Sequence, residues 1–351
     1  MKHDDQNPVT IREVAKESGV SIATVSRVLN DSESVTAKTR TKVCEAMVML
    51  GYNRNAVARS LKIRKTKTIG IIAPELSNTF FMEILEAMES IFARKEYTMV
   101  VCSSNNSVEE ERKKLQVLIE RTVDALVIIP VSDEGRHLRH TGLDHIPLVI
   151  LDRQIPSLNT DTVCTDNGYG VRIVMQKLLE EGFTRIGFLG GSLTIPTAKE
   201  RYLGYLESMH RANLPVEEAF VCTEGAMDQR RGFSIMQKFM QDPDHPQAFF
   251  IANDMLHLGA TSFLMEAYTT KTRPHLVFAS FDHLYYSSLL QLCHYAVCQP
   301  LEQIGKSVAT LLLRRLEGDW SDFPRLIVHR PEIKVMVANG GIQGIVQSPD
   351  R

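Results

Sequence analysis

The sequence predicts an all-α helix-turn-helix head followed by a two-lobed α/β body with parallel, doubly wound sheets. Three observations predict it. From residue 11 to 51 apolar residues recur at three- and four-residue spacing with no strand pattern between them. From Thr68 onward short β-rich runs alternate with amphipathic helical stretches. That alternation then repeats in the second half of the chain, which predicts two similar lobes with a cleft between them at the carboxyl ends of the strands.

In the head, Ile11, Val14 and Ala15, then Val25, Val28 and Leu29, then Val43, Ala46, Met47 and Leu50 mark three short helices. Gly19-Val20 supplies the tight turn, and Ser21 is a good N-cap because its hydroxyl accepts a backbone N–H as the second helix starts. Thr36 caps the third helix, which stops near Gly51, a residue suited to the left-handed C-terminal position.

In the first lobe TIGIIAP (68–74), TMVVCS (98–103), ALVIIP (125–130) and PLVILD (147–152) read as strands, with helices at 80–95 and 108–120. In the second, RIGFLGG (185–191), AFVCT (219–223), AFFIAN (248–253) and LVFASFD (276–282) read as strands, with helices at 170–181, 198–212, 229–241 and 254–267. Strands joined by helical crossovers imply βαβ units. After Val337 the chain is Gly-rich and has no leucine heptad, so residues 341–351 read as a tail and no coiled coil is expected there.

A chain of 351 residues is expected to carry more than one core. Its net charge of −2 conceals an asymmetry: residues 1–65 hold 12 Lys or Arg against 7 Asp or Glu, and the rest hold 28 against 35. A basic head on an acidic body fits a protein in which only the head meets phosphates. MKHDDQNPVT is followed by no apolar run, and no stretch approaches the roughly 20 apolar residues of a bilayer span, so a cytoplasmic protein with no membrane partner is expected. The six cysteines are scattered, with no CxxC pair or His cluster at ligand spacing, and are expected to be reduced thiols; no metal or cofactor is expected. RIGFLGGS lacks the spacing of a dinucleotide fingerprint, no phosphate loop is present and no nucleophile set is evident, so an enzyme is not expected.

The segment VTIREVAKESGVSIATVSRVLN (9–30), continuing through RSLK (59–62), resembles the N-terminal signature of the LacI family of bacterial repressors. The resemblance implies that the second helix enters the DNA major groove, with Ile22, Ala23 and Arg27 on base-reading positions and Thr10, Ser21, Thr24, Ser26 and Asn30 on backbone-positioning ones. The chemistry suits those roles, because Arg27 can offer a bidentate donor pair to guanine while Ile22 and Ala23 can meet a thymine methyl. GYNRNAVARSLK (51–62) resembles the family's hinge helix, in which Leu61, with Lys62 beside it, matches the wedge that opens a base step. Arg54 stands where the family usually has proline. The domains implied are a DNA-binding head (1–53), a hinge helix and linker (54–67) and an effector-binding and dimerisation body (68–340).

In the body the resemblance implies the periplasmic-binding-protein fold with an effector between the lobes. It rests on SNTFF (77–81), LDR (151–153), TDNGYG (165–170), PTAKERYLGY (196–205), AND (252–254), SFD (280–282) and QP (299–300). Asp152, Arg153, Arg201, Asp254 and Asp282 are the expected polar groups of the cleft, with Phe80 or Phe81 as its aromatic wall, a set suited to a polyol. Asp152 or Asp254 as a simple cap, and the two phenylalanines as plain core, are the alternatives. Thr79, His257 and His283 depart from the family pattern. The sequence around Ser77 and from Asp282 to Leu290 is similar to the fructose and sucrose regulators, whose effectors are often phosphorylated, and Arg153 and Arg201 would suit a phosphate. A sugar or sugar phosphate is therefore the expected effector, with a purine or other small molecule as the alternative. The expected partners are a pseudo-palindromic operator and a second copy of the chain. A solute-binding protein without regulatory role remains the rival reading.

Overall fold

The structure is a computed structural model that describes residues 9–29, 32, 34–52, 65–139, 143–282, 293–336 and 342–346. The chain divides into two compact units, Met1–Thr66 and Lys67–Arg351.

The first unit is the three-helix head: α1 (Ile11–Ser18), α2 (Ile22–Leu29) and α3 (Ala37–Leu50). Its core is Val14, Ala15, Val25, Val28, Val43 and Ala46, each from the apolar face read off the spacing. Gly19 closes α1 in the left-handed conformation at φ 66°, which any residue with a Cβ would adopt at a cost. Ser21 Oγ then accepts from the Thr24 backbone N–H at 3.1 Å and starts α2. Thr36 Oγ1 does the same for Thr39 N at 3.3 Å, and Gly51 ends α3 at φ 63°.

The second unit holds two sheets. In the first lobe β1 (Thr68–Ala73), β2 (Thr98–Ser103), β3 (Ala125–Ile128), β4 (Leu148–Asp152), β5 (Asp161–Thr165) and β11 (Leu326–His329) pair in the order β11-β5-β4-β3-β1-β2, all parallel. In the second, β6 (Ile186–Leu189), β7 (Val221–Cys222), β8 (Ala248–Ile251), β9 (Val277–Phe281), β10 (Tyr295–Cys298), β12 (Glu332–Met336) and β13 (Ile342–Val346) pair in the order β13-β12-β10-β9-β8-β6-β7. Only β12 and β13 run antiparallel to their neighbours. The first lobe carries α4 (Thr79–Arg94), α5 (Val108–Glu120), α6 (Arg136–Arg139) and α11 (Leu301–Leu316); the second carries α7 (Asn167–Glu180), α8 (Pro196–Arg211), α9 (Gln229–Phe239) and α10 (Asp254–Ala267). The chain crosses between the sheets after β5, after β10 and after β11.

The inner strands of the first lobe, β1, β3, β4 and β5, are buried almost throughout, as a doubly covered parallel sheet requires, whereas the edge strands β2 and β11 are exposed to half-buried. Each lobe has its own core, the larger one centred on Phe188, Phe249, Phe250, Phe278 and Phe281. Several elements depart from the sequence reading, β12 and α6 among them, which fall in stretches with no assigned element. β5, β10 and β11, with helix α11, occupy stretches with no assigned element, because β5 carries Thr and Asp and β11 alternates exposed and half-buried positions. The run 219–223 is only a two-residue strand preceded by a turn of 3-10 helix. The reading of 341–351 as a tail is corrected: Ile342–Val346 pairs antiparallel with β12, and the neighbouring glycines masked the strand pattern. No helix of the structure is long and apolar enough to cross a membrane among the described residues.

Candidate functional site

Two surfaces stand out, one in each unit. In the head, Val25 and Val28 turn α2 inward, which leaves Ile22, Ala23, Ser26 and Arg27 on its outer side. Ile22 is 47% exposed, an apolar side chain held in water beside a cationic one. Ser21 and Thr24 are joined hydroxyl to hydroxyl at 2.9 Å, and both flank the helix's outer side, with Ser21 also its cap. Thr10 gives its backbone N–H (2.7 Å) and its hydroxyl (2.9 Å) to the Glu13 carboxylate, and these bonds hold that carboxyl below its usual range. Asn30, Leu61 and Lys62 lie outside the described residues.

In the body, Phe80, Phe81, Asp152, Arg153, Arg201, Asp254 and Asp282 all line one cavity of about 260 Å³ between the lobes. Their positions follow from the topology. Asp152 is the last residue of β4 and Asp282 follows β9, so the two lobes present equivalent strand ends to each other. Both adopt left-handed backbone, φ 70° and 67°, a conformation that aspartate tolerates better than most side chains. Phe80 and Phe81 stand in the first turn of α4, ring centroids 5.1 Å apart and edge to face. They are 8% and 5% exposed, so they serve as wall and core at once.

Arg201, from α8, is the centre of a buried network. Its Nε donates to Asn167 Oδ1 at 2.9 Å and its Nη1 to the Ala252 carbonyl at 2.6 Å. The guanidinium lies 3.7 Å over the Phe281 ring and 3.7 Å from Asp282 Oδ2. Asp282 Oδ1 in turn accepts from Gln299 Nε2 at 2.6 Å, and Gln299 Oε1 accepts from the Thr165 hydroxyl at 2.5 Å. Thr165 and Gln299 stand at two of the three crossings, so this chain of bonds runs from the cavity into the segments that join the lobes. Burial pushes the Asp282 carboxyl up to about 7; Arg201 opposes the rise and Asp254 adds to it. Burial also raises Asp152 and Asp254, opposed at Asp152 first by Arg153 and at Asp254 first by the Met255 backbone N–H.

Asn253, not Asp254, caps α10: its Oδ1 accepts from Leu256 N at 2.9 Å, and its Nδ2 donates to the Met227 carbonyl at 2.9 Å. Asn78 caps α4 in the same way at the cavity's first-lobe edge. These amides, with Asn167 and Gln299, were missed as site residues although SNTFF, AND, TDNGYG and QP contain them, because only charged and aromatic members of those patterns were taken. His257 is 1% exposed and packs edge-on to Phe278 at 5.6 Å, so it belongs to the core and not to the cavity wall. His283 lies outside the described residues. Among the described residues that line the cavity, Glu75, Asp152, Asp228, Asp254 and Asp282 stand against Arg153 and Arg201.

A three-helix head with an exposed recognition-type helix, and a two-lobed body with a polar cleft, define the class of ligand-responsive DNA-binding regulators. Residues 10–55 match bacterial regulatory proteins of the lacI family, and residues 66–339 match the periplasmic binding proteins and sugar binding domain of that family. The chain belongs to the LacI family. It is 31% identical over 327 residues to the HTH-type transcriptional repressor PurR of Photorhabdus laumondii, covering 91% of this chain and 94% of that protein. The PurR of Pasteurella multocida is 30% identical over 328 residues, covering 93% and 97%. Among solved structures, the lac repressor dimer bound to operator and the anti-inducer ONPF superposes with a TM-score of 0.81 at 25% identity, covering 95% of this chain and 99% of that one. The complex of the transcriptional regulator CelR with cellobiose superposes with a TM-score of 0.67 at 26% identity, covering 95% and 100%.

Proposed function

We propose that this chain is a repressor that binds a pseudo-palindromic operator as a homodimer and changes its operator affinity when an uncharged, hydrogen-bonding small molecule enters the cleft between the lobes. The observation that carries this is the convergence of Asp152, Arg153, Arg201, Asp254 and Asp282 on one cavity, with Phe80 and Phe81 on its wall. In the head, Ile22, Ala23 and Arg27 read bases, while Thr10, Ser21, Thr24, Ser26 and Asn30 hold phosphates and Leu61 with Lys62 enters the minor groove. The lac repressor, a dimer on its operator, supports the homodimer and the pairing of two heads on one site.

A purine-type effector is the finer reading, supported by relatives at 30 to 31% identity that carry the name PurR. A base can lie against the Phe80 and Phe81 edges while its N–H groups donate to the cleft carboxylates. A free sugar is the second reading, favoured by the number of carboxylates that can accept from hydroxyls and by the cellobiose complex of CelR. A phosphorylated sugar fits less well. Five carboxyl groups line the cavity against two guanidinium groups, and Arg201 already gives two of its five N–H donors to Asn167 and Ala252.

The test is a thermal-shift screen of the full chain against purine bases, free sugars and their phosphorylated forms. Ligand at 100 times its dissociation constant adds about 2.7 kcal/mol of stability. An uncharged hit that also changes operator affinity supports the proposal. Stabilisation only by phosphorylated compounds would overturn the uncharged reading.

A further inference from the structure

Behind the first-lobe wall of the cleft sits a second buried cluster. Glu111, from α5, is fully buried. Its Oε2 accepts from the Val131 backbone N–H at 2.9 Å, and its Oε1 meets His137 Nε2 at 2.5 Å. Val131 lines the cavity, and the carbonyl of the preceding Pro130 accepts from Arg153 Nη1 at 2.6 Å. Arg153 is itself 6% exposed, and its Nε has no hydrogen-bond partner; the nearest carboxylate oxygen, of Asp152, stands 3.5 Å away. Two carboxyl groups, of Asp152 and Glu111, thus act on one guanidinium whose Nε–H is left without a partner.

We propose that Glu111, held by His137, is a positioning and specificity-determining residue of the cleft: it fixes the Pro130–Val131 backbone that orients Arg153, and it cancels the arginine's charge so that the site takes an uncharged acceptor group rather than a phosphate. The inference rests on the cleft being the effector site. The chemistry is a division of labour. Asp152 alone would leave Arg153 electrostatically balanced only in part, because its own charge is opposed by burial, and a phosphate would then find a desolvated guanidinium. With the Glu111 carboxyl behind it as well, the same guanidinium still has its Nε–H to offer to a hydroxyl, a carbonyl or a ring nitrogen. α5 is thus a partner of the cleft although none of its residues lines the cavity.

Inorganic phosphate is the probe, because it needs no knowledge of the effector. Glu111→Gln keeps the shape and an acceptor for Val131 N while removing the charge. The full-length variant is expected to bind inorganic phosphate about tenfold tighter than the unsubstituted chain, read by calorimetry or thermal shift. Adding Arg153→Gln is expected to erase that gain. Equal phosphate affinity in Glu111→Gln and the unsubstituted chain, or a gain that survives Arg153→Gln, overturns the proposal. Should Glu111→Gln fail to fold, the unsubstituted chain still decides: each purine base or sugar that binds is expected to do so at least about tenfold tighter than its phosphorylated form, and the opposite preference overturns the assignment. If neither form of any compound binds, the effector class is wrong, while the phosphate comparison still reports on Glu111.

Discussion

Asp282→Asn isolates what the cleft does to a carboxyl. The substitution preserves shape, and an amide oxygen can still accept from Gln299 Nε2, now 2.6 Å from the carboxylate. Arg201 keeps its bonds to Asn167 and Ala252 and loses only an ion pair at 3.7 Å. The carboxyl titrates near 7 in the fold against an ordinary 3.8, a difference worth about 4 kcal/mol. The folded state holds the proton to higher pH than the unfolded chain. This part of the stability is therefore complete below about pH 4 and is lost as pH rises through about 7. Asp254 and Asp152 titrate in the same field, so the share recovered at one residue is smaller than the whole. Urea unfolding of both proteins at several pH values is the assay. Asp282→Asn is expected to be more stable at pH 8 by about 2 to 4 kcal/mol and to match the unsubstituted chain near pH 4. Its effector affinity is expected to fall at least about tenfold, because an acceptor has become half a donor. An unchanged pH dependence would refute the desolvated carboxyl.

Other substitutions test other joints of the structure. Arg201→Lys replaces a fork that serves two acceptors and stacks on Phe281, and is expected to abolish the effector response while operator binding without effector persists; loss of both in anisotropy titrations would mark a folding defect. Asp161→Asn breaks a fully buried pair with Arg315, bonded at 2.7 and 3.0 Å, and is expected to destabilise the body by about 3 to 5 kcal/mol in urea unfolding. Gly51→Ala meets nothing within 4 Å, so only its φ of +63° opposes it, and a loss of about 1 kcal/mol in head stability is expected by thermal unfolding. Arg27→Met is expected to relax base preference at one position of each half-site, by about 1 to 3 kcal/mol, in a binding selection against randomised operators.

The head was legible in the sequence nearly residue by residue, because its turn chemistry is local: Gly19, Ser21, Thr36 and Gly51 each act within one helical turn. The charged residues that line the cavity lie in patterns the sequence shows, Asp152 and Asp282 at strand ends and Arg201 and Asp254 in helices. The amides were not legible, since Asn167 and Gln299 matter only through partners 34 and 17 residues away, Arg201 and Asp282. The same reason hid Glu111, which reads as one of three acidic residues in the first turn of a solvated helix, Glu109, Glu110 and Glu111. Only the third faces inward, toward His137 and Val131. Two arginines in the sequence suggest a phosphate; the structure sets five carboxyl groups around the same cavity. Late strands were missed because they add to sheets built far earlier in the chain, β11 to β5 and β13 to β12.

Operator binding by the full chain, titrated with and without a compound that stabilises the body, tests the central claim most directly. DNA recovered by selection supplies the operator, and anisotropy supplies the dissociation constant. Linkage between cleft and head predicts that saturating ligand shifts operator affinity by about fivefold or more in either direction, and that operator shifts ligand affinity by the same factor. A ligand that saturates the cleft and leaves operator affinity unchanged would contradict the account.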